Sequence, residues 1–313
     1  MSLNIEEMIR DMLEENDAGK RISLAEAVLA EEPDNPIAKY VKWYCIRAAC
    51  APDQGNPEEN IKLLREVSAS LRDKAHKPGD PNALYEILPT YLSMLSDLSC
   101  ELYFNDEEDE ALPFVQELTD LDNEGSMSGR FLYYPILIQK KEYAKIVADG
   151  DSDERKTPVC MYCRAFALFE LGRHHEAALE VLDAINDEPE MIFYIIGAKE
   201  IDELFDEPES FSGDFSSQTI LIANILYGGD GAELDEEKYS FIGEIGLLFG
   251  YLTKRLPDED IAKLDEVYEE FGIMDELKAY RAKKIPEGWE NEEALAKIKE
   301  LSEKGLLSFN NLD

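Results

Sequence analysis

Ala111, Ala144 and Ala177 follow one another at a constant step of 33 residues. Apolar residues around them recur at spacings of three and four, and no alternating strand pattern interrupts the series. A fixed step combined with helical periodicity predicts antiparallel helix pairs, with a small residue wherever two helices cross closely. Such pairs do not bury their apolar faces alone, so stacking of successive pairs is expected.

The best-formed unit covers about 158–191. It places Ala165 at the small position of its first helix, then Leu168 and Leu171-Gly172, then Ala177, Val181 and Ala184 on the second helix, with Pro189 as terminator. One step back lie Tyr133, Ile136, Ala144 and Ala148, a unit with a short second helix. A further step back gives Leu95, Leu98, Ser99, Leu102, Ala111, Val115 and Leu118, over about 92–125. Forward, Tyr194, Gly197, Ala198 and Ile201 repeat a first helix before Pro208 to Gly213 reads as a loop.

This pattern resembles the tetratricopeptide repeat family over about 92–204, with a degenerate extension to 20–75; Met161 stands where the family carries Trp. The resemblance implies an all-α fold, a right-handed superhelical array of antiparallel helix pairs. Three segments are expected: N-terminal helical hairpins over 1–77, repeats over 78–204, and a helical extension and cap over 205–313. The first break is the Lys77-Pro78-Gly79-Asp80-Pro81 run, and Pro89 is expected to kink or divide the helix that follows.

Charge is the second constraint. Of a net charge of −38, the segment 78–129 carries thirteen acids and no Lys or Arg, and 174–237 carries eighteen acids against Lys199 alone. Between them, 130–173 holds eight basic and six acidic residues. The two acidic blocks would repel a polyanion, which argues against direct nucleic-acid binding. Many of these acids, such as Asp106 to Glu110 and Asp258 to Asp260, open helices and meet the positive end of the dipole. That placement leaves the shortage of compensating cations unexplained. A solubilising surface and a face that attracts a basic partner are both consistent with it.

No apolar run reaches membrane-spanning length, and the first residues lack the pattern of a signal peptide. Five scattered cysteines do not form a disulfide framework, so a reducing, cytoplasmic setting is expected.

Motifs that carry chemistry are scarce. Cys160-Met161-Tyr162-Cys163 has the C-x-x-C spacing, but the repeat register puts both thiols inside a helix without a second ligand pair. Cys45 and Cys50 do not share a helix face, and buried, inert cysteine is the expectation. His76, His174 and His175 are read as residues of turns. The loops 149–153 and 120–125 resemble calcium loops, yet each lacks the bidentate Glu, and the first also lacks the Gly. Neither a metal nor a cofactor is expected.

In the family, the first helix of each pair lines a concave surface. The register assigns Tyr162, Phe166 and Phe169 to it in the best unit, Tyr133 and Ile136 in the middle one, and Cys100 and Tyr103 in the first. The Lys/Asn set that clamps a peptide carboxylate is missing, so the resemblance implies an apolar, aromatic groove for a hydrophobic peptide or amphipathic helix. The same face also reads as core, or as a groove filled by a helix of the C-terminal extension.

The expected function is a non-catalytic protein–protein interaction scaffold, holding a protein or peptide in the groove, a basic partner on the acidic flanks, or both. An acidic mimic or chaperone covering a basic nucleic-acid-binding protein is a second reading, and an enzyme without a recognisable motif a third. No membrane contact is expected, and the oligomeric state is left open.

Overall fold

The structure is a computed structural model and describes residues 5–49, 56–75, 81–122, 131–149, 157–201, 213–227 and 235–308. Among the described residues there are sixteen helices and no strand. The chain forms two compact units, Met1–Tyr133 and Tyr134–Asp313.

In the first unit, α1 (Ile5–Glu14), α2 (Ala18–Glu31), α3 (Pro36–Ala49), α4 (Pro57–Ala75), α5 (Pro81–Tyr103) and α6 (Glu108–Leu121) each pack on the next. Three of these helices open on Pro, whose missing N–H is not needed in a first turn. The Asp17 carboxylate caps α2 by accepting from the Lys20 N–H at 2.8 Å. Met12, Val28, Leu64, Leu71, Leu95, Leu98 and Val115 form the core between the layers. Helices α4 and α5, on either side of the expected break at 77–81, pack against each other. Pro89 does not divide α5, which runs through it.

The second unit begins within α7 (Tyr133–Gln139) and continues with α8 (Tyr143–Ala148), α9 (Pro158–Glu170), α10 (His174–Asp187) and α11 (Met191–Ile195). It is completed by α12 (Gly213–Tyr227), α13 (Glu236–Thr253), α14 (Asp258–Glu270), α15 (Met274–Ala282) and α16 (Glu290–Glu303). Helix α13 is apolar on nearly every side, burying Phe241, Ile242, Ile245, Leu248, Phe249 and Leu252, as expected of a helix inside a core. It packs on α10, α11, α15 and α16. Two glycines let α11 approach: a Cβ on Gly246 would stand 2.7 Å from Ile192 Cγ1, and one on Gly250 2.8 Å from Phe193 Cε1. Helix α16 also packs on α10, where the Ser302 hydroxyl lies 3.4 Å from His175 Nδ1. These contacts between distant helices depart from stacking on nearest neighbours alone. Helices α12 to α16 belong to the same compact unit as α9 to α11.

The helix pairs are joined by one recurrent turn. Asp106, Lys141 and Gly172 each adopt the left-handed conformation, with φ of 59°, 56° and 70°. In each case the next N–H donates to a carbonyl five residues back: Glu107 to Leu102, Glu142 to Leu137 and Arg173 to Leu168, all at 2.9 Å. Five residues beyond the left-handed position, Ala111 and Ala177 are fully buried at the second helix. The equivalent residue of the middle pair is Ile146, also fully buried, whereas Ala144 is exposed. The middle rung of the alanine ladder is therefore corrected. The helix stop at Lys141 sets the register there, and it falls two residues later than a uniform step places it.

Candidate functional site

The six residues expected to line a groove do not present one. Tyr162, Phe166 and Ile136 have no exposed surface, Tyr103 and Phe169 almost none, and Tyr133 is partly buried. Tyr103 and Tyr133 belong to the first unit and the other four to the second. In the second unit the chain's own helices take the place of a ligand. The Phe169 ring meets Phe241 of α13 at 5.0 Å between centroids. The Val159 N–H of α9 donates to Gln218 Oε1 of α12 at 3.1 Å. The physical reason is the apolar excess of α12 and α13, which need a partner face and find α9.

The other sequence candidates are placed as follows. Cys160 and Cys163 lie inside α9, and burial pushes the Cys163 thiol well above its ordinary value, which disfavours the reactive thiolate. His174 is buried with its ring 4.9 Å from Phe169, and His175 faces Ser302. Among the described residues no three His, Cys, Asp or Glu side chains gather as metal ligands. His76, Cys50, most of the loop 149–153 and the end of the loop 120–125 lie outside the described residues.

The first unit holds a polar seam between α3, α4 and α5. The Tyr40 hydroxyl donates to Asp97 Oδ2 at 2.6 Å, the Trp43 indole to Asn60 Oδ1 at 2.9 Å, and Arg47 pairs with Glu101 at 3.4 Å. Burial pushes the Asp97 carboxyl up to about 6; the Tyr40 bond and Arg47 oppose the rise, and Glu101 adds to it. Donors and acceptors here pair across helices, which makes the seam a tie within the fold.

Open apolar surface is found in the second unit, between α13 and α14. A cleft of 350 Å³ is walled by Tyr239, Gly243 and Leu247 of α13 and by Leu264, Val267 and Phe271 of α14, and the turn Leu306 to Ser308 closes one end. Its position follows from the local sequence. Leu264, Val267 and Tyr268 of α14 and Phe271 at its C-cap form a stripe at i, i+3, i+4 and i+7 on a mostly charged helix. On α13, Gly243 leaves a gap: a Cβ there would meet no atom within 4 Å. The Tyr239 hydroxyl donates to the Ile196 carbonyl at 3.0 Å, and Glu244 accepts from the Ser308 N–H at 2.8 Å and its hydroxyl at 2.6 Å. Tyr268, packed edge-on to Tyr251 at 5.0 Å, anchors α14 to α13.

The apolar surface does not stop at the mouth of the cleft. Val267, Phe271 and Leu306 expose 40%, 61% and 37% of their surface, so the cavity continues onto an apolar rim. Among the described lining residues Glu244 alone is charged, and Ser308 occupies its carboxylate. This arrangement can take up apolar side chains. Sequence reasoning missed these residues because the α14 stripe has the same spacing as a buried face.

Among the described residues the protein is all-helical, with an open apolar cleft between α13 and α14. Comparison of the chain with family models, curated proteins and solved structures finds no match. Among the described residues no helix is long and apolar enough to cross a membrane.

Proposed function

We propose that this protein is a non-catalytic interaction scaffold, built as a superhelical array of tetratricopeptide-like helix pairs, that holds a segment of a partner protein in the cleft between α13 and α14. The observation that carries the reading is the continuity of the cavity with the exposed side chains Val267, Phe271 and Leu306. A small ligand confined to 350 Å³ would leave that rim in water, whereas a helix or peptide would cover both. The cytoplasm is the proposed setting, supported by four free cysteines among the described residues.

The test uses a synthetic amphipathic helix with Leu along one face and Gln along the other, followed by fluorescence anisotropy. Gly243→Leu fills the cleft at a position where a Cβ has open space, and is expected to weaken binding about tenfold or more. No binding to the wild-type chain, or equal binding to the variant, would overturn the proposal.

A further inference from the structure

We infer that the occupant of the α13–α14 cleft is a basic amphipathic helix of a partner protein, its apolar face in the cleft and its cationic face over the carboxylates of α14 and α13; this rests on the docking function proposed above. Charge complementarity carries the choice. Helix α14 holds seven acidic side chains and Lys263 alone. Asp260 lies on the lining side of that helix, one turn before Leu264, and Glu270 flanks Phe271. On α13, Glu236 precedes Ser240 and Gly243 by four and seven residues, on the same helix face. Among the described residues that line the cleft, none is basic.

The existing cations do not neutralise this rim. Lys263 pairs with Asp260, Arg281 and Lys278 serve Asp265 and Glu269, and Glu236 and Glu270 pair with no cation among the described residues. An acidic helix occupant would add like charge along the rim, and a neutral one would leave the carboxylates unanswered. A helix fits better than an extended strand because the lining offers no free row of backbone donors and acceptors. It does present apolar side chains from two helices, between which anchors at i, i+3, i+4 and i+7 can insert.

The experiment compares three synthetic helices with one Leu face and with Lys, Gln or Glu on the other. Binding to the wild-type chain is measured at low and at near-physiological salt. The Lys helix is expected to bind about tenfold or more tightly than the Gln helix at low salt, with the gap narrowing as salt rises. Glu270→Gln combined with Glu236→Gln should reduce that preference while leaving affinity for the Gln helix unchanged. Equal binding of all three helices overturns the charge inference and leaves the docking function standing. Failure of all three to bind overturns both. If deleting residues 309–313 raises affinity for every helix, the chain's own C-terminal segment is the occupant. If sedimentation shows a dimer that Phe271→Ser dissociates, a second copy is. Either result overturns the inference.

Discussion

Ile146 stands five residues beyond Lys141, as Ala177 stands five beyond Gly172, and both side chains are fully buried. The helix stop, not the count between alanines, thus sets which residue enters the crossing of each pair. Ile146→Ala should cost about 2–4 kcal/mol through lost transfer energy and a residual cavity. Ala144→Gln, on the exposed side of α8, should stay within about 0.5 kcal/mol. Urea unfolding of the two variants checks the register; equal costs would contradict it.

Tyr162 is wholly buried, and among the described residues nothing hydrogen-bonds its hydroxyl. Burial also raises its pKa, so the group stays neutral. An unpaired buried hydroxyl carries a desolvation penalty without return. Tyr162→Phe is therefore expected to stabilise the second unit by about 1 kcal/mol, whereas Phe166→Ala should cost about 3–5 kcal/mol. Were Tyr162 part of a partner-binding groove, Tyr162→Phe would instead change partner affinity with stability unaltered. Thermal unfolding and peptide binding measured on the same samples separate the two.

The helical character of the chain was legible because periodicity and breakers act locally. Pro36 and Pro57 open helices, and Leu171-Gly172 closes one, as their intrinsic geometry requires. The small residues Ala165 and Ser99 were also readable, each seven residues before a left-handed turn and each buried. Partnering between distant segments was not legible. That Phe241 covers Phe169, and that α16 returns to α10, depends on tertiary contacts over many tens of residues that leave no periodic mark. Nor could spacing distinguish the stripe of α14 from a buried one, since Val267 and Phe271 have core spacing and exposed surroundings.

Gly243 and Gly246 share α13 and have opposite surroundings. Gly243→Ala adds a methyl group to open space and removes the helix penalty of glycine, so a gain of about 0.5–1 kcal/mol is expected. Gly246→Ala puts its Cβ 2.7 Å from Ile192 Cγ1, and the overpacking should cost about 1–3 kcal/mol despite better helix propensity. Denaturant midpoints read the signs directly. A gain at both positions would mean that α11 yields freely to α13.

Asp97 makes stability of the first unit depend on pH. Burial raises its folded pKa from 3.8 to about 6, so the folded state holds the proton more tightly than the unfolded chain. Its stabilising contribution is fully present below about 4 and is lost as pH rises through about 6. Between those limits the first unit should lose about 2–3 kcal/mol from this group. Asp97→Asn keeps an oxygen to accept the Tyr40 hydroxyl and carries no charge. The variant should match wild type at pH 4 and exceed it by about 2–3 kcal/mol at pH 7.5. Trp43, in the same seam, reports unfolding of this unit in a Trp289→Phe background, which silences the other tryptophan. A variant that keeps the wild-type pH slope, or loses stability at pH 7.5, would show that Asp97 is held as a paired carboxylate and not as a buried acid.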